Sequence, residues 1–242
     1  MPFKRILLYV WISLLLIVAV FLLLRDGQPS SKWSNEIEIP GKGRLITYKD
    51  AAVDILNQSE GVQEIVITGK VYIEAPSQNE LTYVLKSEQA VIELTSGVAV
   101  IDASIERTTE LIVAAGQASL TPVLTTEGRR SRSVQISEGE KGIISPYAKG
   151  IVKQNNRDKN FKAWADFKLD FQNENLENIV LLLQDVYGIK IGLAVPNLSR
   201  CRFTGTFDQA QLDDLIKELS ANLNLQVTEN EDGSWILIGD GC

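Results

Sequence analysis

The chain contains no histidine. Histidine is the commonest general base near neutral pH and the commonest metal ligand, so its absence removes every Ser-His and Cys-His pair at once. Only two cysteines are present, Cys201 and Cys242, too few for a cysteine-rich zinc cluster. No glycine-rich phosphate loop of the P-loop or dinucleotide type occurs in the 242 residues. Positive charge is scarce as well: 24 Lys and Arg stand against 31 Asp and Glu, a net charge of −7. Nucleic-acid binders present basic stripes that neutralise phosphate, and this balance argues against such a partner. The acidity reads as a solvated surface. Paired carboxylates are left open, because spatial neighbours need not be sequence neighbours. The case for an enzyme is thin, and neither a cofactor nor a metal is expected.

Charge is missing altogether from Ile6 to Leu24, an apolar run of 19 residues. As a helix rising about 1.5 Å per residue it spans roughly 28 Å, close to a hydrocarbon core of about 30 Å. Lys4 and Arg5 precede the run, while Arg25 beyond it stands next to Asp26. This cation bias puts residues 1–5 in the cytoplasm as a stub, makes 6–24 a single transmembrane helix, and places the rest outside. The rival is a cleaved signal peptide, which would end in a small-x-small site. Phe21-Leu22-Leu23-Leu24-Arg25-Asp26 offers none. The expected location is the inner membrane, single-pass, with the bulk in the periplasm.

Residues 25–44 read as a linker, opened by the polar, Gly-, Pro- and Ser-containing stretch from Gly27 to Trp33. From 45 to 153 the pattern is that of strands. Ile65, Ile67, Val71 and Ile73 are apolar at every second place, and Glu64, Thr68, Lys70 and Glu74 alternate with them. Short apolar runs recur at Ala90–Leu94, Val98–Ile101, Leu111–Ala114 and Val134–Ile136. Glycines 69, 97, 116, 139 and 142 stand at turn-like places between them. An all-β domain follows, with sandwich, roll and short solenoid left open.

After a polar break at Gln154–Lys159 the period changes, and 160–242 reads as a small α+β domain. Phe167, Leu169 and Phe171 alternate as a strand, and Asn173 is placed to cap a helix. Leu176, Ile179, Val180, Leu183, Val186 and Tyr187 make one apolar helical face, ended by Gly188. Ile189, Ile191 and Leu193 alternate again. The unit then repeats. Phe203–Phe207 is a strand, Asp208 with Gln211 has the spacing of a capping box, and Leu212, Leu215, Ile216, Leu219 and Leu223 form the second stripe. Leu225–Val227 and Trp235–Ile238 close the domain around a turn at Asp232-Gly233. The sequence thus predicts an α+β chain whose C-terminal part is a doubled βαβ-βαβ arrangement.

These residues resemble the FecR family, the membrane-anchored periplasmic regulators that couple TonB-dependent transporters to extracytoplasmic sigma factors. In the β domain the likeness rests on Ile55-Leu56-Asn57-Gln58-Ser59, on Ile65–Ile73 and on Val134-Gln135-Ile136-Ser137-Glu138-Gly139-Glu140. It is more specific afterwards, in Ala163-Trp164, Phe171-Gln172-Asn173, Leu176, Leu183, Tyr187-Gly188-Ile189 and Phe203-Thr204-Gly205-Thr206-Phe207. The resemblance implies a C-terminal fold like the secretin and TonB N-terminal signalling domain, meeting the signalling domain of an outer-membrane transporter. Two departures stand out. Family members usually begin with a helical cytoplasmic domain that grips the sigma factor. Only Met1–Arg5 precede the apolar run here, so contact with a sigma factor or anti-sigma protein is expected to be indirect. Many relatives also carry a Gly-Thr pair linked to chain scission before the threonine. The equivalent Thr95-Ser96-Gly97-Val98-Ala99 has no threonine after the glycine, so that route is not expected, although Ser96 leaves a hydroxyl close by.

The sequence itself nominates few other residues. Cys201 and Cys242 invite a disulfide in an oxidising envelope, with two free thiols or a lipid- or partner-linked Cys242 as alternatives. Arg129, Arg130 and Arg132 form a basic patch, read as a solvated loop before it is read as a protease site or a dock for an acidic partner. Trp164 and Trp235 read as packing residues, and Asp208 as a cap. The functional expectation is a signalling and binding module regulating a sigma factor in response to a transporter. An envelope scaffold or secretin-like assembly partner, or a degenerate remnant of such a regulator, is the alternative.

Overall fold

The computed structural model describes residues 31, 33–56, 58–78, 81–123, 132–147 and 150–242. The apolar run Ile6–Leu24 lies outside them, as do Arg129 and Arg130. Among the described residues no helix is long and apolar enough to cross a membrane. The protein is mostly β with few helices, in two compact units. One comprises Ser31–Asp170 with Leu183–Gly188, the other Phe171–Leu182 with Ile189–Cys242.

The first unit holds ten strands: β1 (Ser34–Ile39), β2 (Gly43–Ile55), β3 (Val62–Ala75), β4 (Thr82–Lys86), β5 (Ala90–Leu94), β6 (Gly97–Ala103), β7 (Thr109–Pro122), β8 (Val134–Ser137), β9 (Glu140–Ile144) and β10 (Ile151–Asn155). All belong to one hydrogen-bonded sheet. Two long strands change neighbours half-way. β3 pairs parallel with β4 over Val62–Val66, then antiparallel with β6 over Gly69–Ala75. β7 pairs with β6 over Glu110–Gly116 and with β5 over Ser119–Pro122, while β9 and β8 divide its other edge in the same way. The sheet therefore rolls over itself, and both halves bury their inner side chains in one core.

Side-chain parity follows this bend. In β3 the odd positions Ile65, Ile67, Val71, Ile73 and Ala75 all reach the core. In β7 the inward set changes from the odd Leu111 and Val113 to the even Ala118 and Leu120. Val98 stands opposite Ala115 and Ala99 opposite Val113, so Ala114 is the extra residue of a bulge that shifts the period by one. Three of the glycines expected at turns lie at strand bends or strand starts. Gly69 (φ 82) is inside β3, where a Cβ would come within 2.7 Å of Ala51 Cα. Gly97 and Gly116 face each other across β6 and β7, and a Cβ on Gly116 would stand 2.8 Å from the Ser96 carbonyl oxygen. Gly142 lies within β9, and Gly139 is in the tight turn between β8 and β9.

The expected linker 25–44 is corrected over its last part, because Ser34–Ile39 is β1 and Gly43 opens β2. Ser-Asn-Glu-Ile-Glu-Ile carries too few apolar residues to show a strand, and its Glu36 is instead held by Arg44 of β2 at 2.6 Å. The polar break after β10 is also ordered. Asn160 bonds both backbone groups of Asp170, accepting from its N–H and donating to its carbonyl, and Lys159 pairs with the Asp170 carboxylate at 3.0 Å. A short helix, α1 (Ala163–Asp166), follows, ended by Phe167 in a left-handed conformation (φ 55) rather than in a strand. Its Trp164 is buried, and the Trp164 ring centroid lies 5.0 Å from that of Tyr48.

The remaining elements are β11 (Lys168–Asn175), α2 (Leu176–Tyr187), β12 (Ile191–Leu193), a 3-10 helix (Pro196–Arg200), β13 (Arg202–Asp208), α3 (Leu212–Leu223), β14 (Gln226–Glu229) and β15 (Trp235–Ile238). β11 pairs with β13, and β15 lies between a parallel β12 and an antiparallel β14. The predicted stripe of α2 is buried along its length, and Leu215, Ile216 and Leu219 bury that of α3. Both predicted caps need correction. Asn173 (φ 52) sits within β11, and it is Asn175 whose side chain accepts the Asn178 N–H at 2.8 Å. Gln211, not Asp208, precedes α3, and it makes no side-chain capping bond. Gly188 (φ 69) does end α2, its N–H bonding the Gln184 carbonyl at 3.0 Å.

Candidate functional site

In the second unit the two-stranded sheet β11–β13 carries an aromatic cluster. Phe171 meets Phe203 and Phe207 edge-on at 6.1 and 6.2 Å, and those two rings stack at 6.1 Å. They are two steps of one face apart on β13, and Gly205 between them makes the stacking possible: a Cβ there would stand 2.7 Å from the Phe203 ring. β13 also fixes the turn out of β11. Thr204 Oγ1 accepts the Asn173 N–H at 2.9 Å, and Arg202 donates to the Asn173 carbonyl at 2.9 Å. The carbonyl of Cys201 then accepts the N–H of Leu176, satisfying one of the free donors that open α2. Cys201 itself is disulfide-bonded to Cys242.

That geometry coincides with a family match. Residues 168–237 match the family described as FecR, C-terminal. This stretch is similar to FecR C-terminal domains. Two crystal structures of a candidate anti-sigma factor from Parabacteroides distasonis ATCC 8503 share the fold more widely. They are 13% and 12% identical to this chain, each with a TM-score of 0.52 over 88% of this chain and 98% of theirs. No curated protein matches the chain. The matched range thus contains the aromatic cluster, Asn175, Gln211 and Cys201, while Cys242 lies just past it.

The first unit contains a charged cluster that sequence reasoning missed. The Asp185 carboxylate accepts a hydrogen bond from the Tyr48 hydroxyl and one from Lys49 Nζ at 2.9 Å. Lys49 Nζ also lies 4.6 Å from the Tyr48 ring centroid, and Lys70 Nζ lies 5.5 Å from the centroids of both Tyr48 and Trp164. Cation–π pairs of this exposure contribute about 0.5–1 kcal/mol each. Burial raises the Asp185 pKa, but the bonds from Tyr48 and Lys49 and the charges of Lys49 and Lys70 outweigh it and hold the carboxyl below its ordinary value. Tyr48 is pushed up to about 12, by burial first and then by its bond to Asp185. An open cavity of about 570 Å³ adjoins the cluster, with Thr68, Gly69, Asp102 and Ser104 among its walls. Its charges are mixed, two lysines against Asp50 and Asp102, so it selects neither sign of ligand. No local period or motif links residues 48, 70, 164 and 185.

The other nominated residues fall in separate places. Arg132 is exposed ahead of β8. Trp164 is buried and donates to the Phe161 carbonyl at 3.2 Å, whereas Trp235 is half-buried on β15. Ser96 lies in the turn between β5 and β6, half-buried. Among the described residues no three His, Cys, Asp or Glu side chains converge as a metal site.

Proposed function

We propose that this protein is a membrane-anchored regulator of an extracytoplasmic sigma factor, driven by the state of a TonB-dependent outer-membrane transporter. The FecR C-terminal match over residues 168–237 carries this reading. The shared fold with a candidate anti-sigma factor, over 88% of the chain, supports it at the level of architecture. The run Ile6–Leu24 is the membrane helix, with the folded body in the periplasm. A disulfide in that body suits an oxidising compartment. On this reading the FecR C-terminal domain meets the signalling domain of the transporter. On the same reading the sigma factor lies across the membrane from the folded body.

Deleting the gene and restoring it in trans tests the proposal. Transcripts of one sigma regulon are expected to change several-fold on deletion and to return on complementation. An unchanged transcript profile with and without the transporter's substrate contradicts it.

A further inference from the structure

The residues after β15 run back across their own unit. Gly239 packs so closely that a Cβ would stand 2.8 Å from Leu225 Cδ2 and 3.4 Å from Leu198 Cδ2. Gly241 (φ 99) passes the Asn197 side chain, where a Cβ would stand 3.3 Å from Asn197 Cβ. Leu198 is fully buried and Leu225 nearly so. Asp240, Gly241 and Cys242 make no hydrogen bond or ion pair to any described residue. Among the described residues, van der Waals contact and the bond to Cys201 hold this strap down. The two bridged residues differ sharply in exposure: Cys201 is 1% exposed, whereas Cys242 is exposed.

Thiol–disulfide exchange needs an attacking thiolate in line with one sulfur, and access decides which sulfur is struck. We propose that Cys242 Sγ is a site of exchange with a dithiol reductant, and that the exchange releases Gly239–Cys242 as a strap from Leu198 and Leu225. One thiolate of the reductant attacks Cys242 Sγ, forming a mixed disulfide there. The Cys201–Cys242 bond breaks, and Cys201 leaves as a thiolate that takes a proton. The second thiol of the reductant then attacks its own sulfur in the mixed disulfide and frees Cys242 as a thiol. Two electrons and two protons pass to the protein, and the reductant departs as its disulfide. The strap then keeps only its packing against Leu198, Leu225 and Asn197 among the described residues. The 3-10 helix at Pro196–Arg200 loses its cover, while the aromatic cluster and the stripes of α2 and α3 keep theirs.

The test uses the full chain with its disulfide intact and a thioredoxin-like reductant in Cys-X-X-Ser form, which stops at the mixed disulfide. Peptide mass spectrometry is expected to find the adduct on Cys242 at least tenfold over Cys201. An adduct shared equally or favouring Cys201, or none without denaturant, overturns the proposal. Hydrogen exchange after full reduction gives the second readout. Exchange is expected to accelerate at residues 195–201, 224–226 and 239–242 by at least tenfold more than in α2 and α3. One uniform acceleration throughout the unit makes the bond a staple for the unit and rejects the strap.

Discussion

Gly116 and Gly139 share a left-handed backbone (φ 77 for each) but not an environment. Nothing lies within 4 Å of a Cβ built on Gly139, whereas one on Gly116 presses on the Ser96 carbonyl. Gly139→Ala is therefore expected to cost about 1–2 kcal/mol, the strain of the backbone alone. Gly116→Ala should cost at least about 1 kcal/mol more, because the carbonyl has to leave its place. Denaturant titration of the two variants checks the difference. The Asp185 carboxyl sets a pH dependence of its own. Its folded pKa lies below the unfolded value, so protonation favours the unfolded chain. Its contribution is whole above an unfolded value of about 3.9 and fades as pH falls through the folded value. Asp185→Asn is expected to shrink the loss of stability between pH 5 and pH 3, and an unaltered acid limb in thermal melts would count against the cluster.

At the scale of elements, the start of α2 separates the sequence reading from the structure. Asn173 and Asn175 are equally good caps by residue type, and only the pairing of β11 with β13 decides between them. Asn175→Ala is expected to destabilise by about 1 kcal/mol. Asn173→Gly should be near neutral, since glycine accepts φ 52 without strain. The stripes of α2 and α3 were legible because each buries residues at a period no loop reproduces. β1 was not, because an edge strand with alternating Glu carries almost no apolar signal. The Tyr48, Lys49, Lys70 and Asp185 cluster was illegible for another reason: its members are brought together by tertiary folding across 137 positions. The disulfide closes a separation of 41 residues, so its removal by Cys201→Ser with Cys242→Ser is expected to lower stability by about 4 kcal/mol in the chain-entropy treatment. Calorimetry of the double variant against the oxidised protein measures it.

For the whole molecule, the class was legible and the topology was not. Alternation and glycine spacing announced an all-β region, yet roll, sandwich and solenoid predict the same alternation. What decides for a rolled sheet is that β3 and β7 each serve two sets of neighbours, at a bulge and at glycines that look like turns in a one-dimensional reading. The same two strands make long-range pairs obligatory, which places this unit among slow folders rather than fast ones. On the proposed reading, function rests on contacts made by residues 168–237, the stretch that matches the FecR C-terminal family. Cross-linking in native membranes followed by mass spectrometry tests this most directly. The account predicts links between residues 168–237 and the periplasmic signalling domain of a TonB-dependent transporter, increasing when the transporter's substrate is supplied. Links that bypass this domain, or that join the chain to no transporter under either condition, would contradict it.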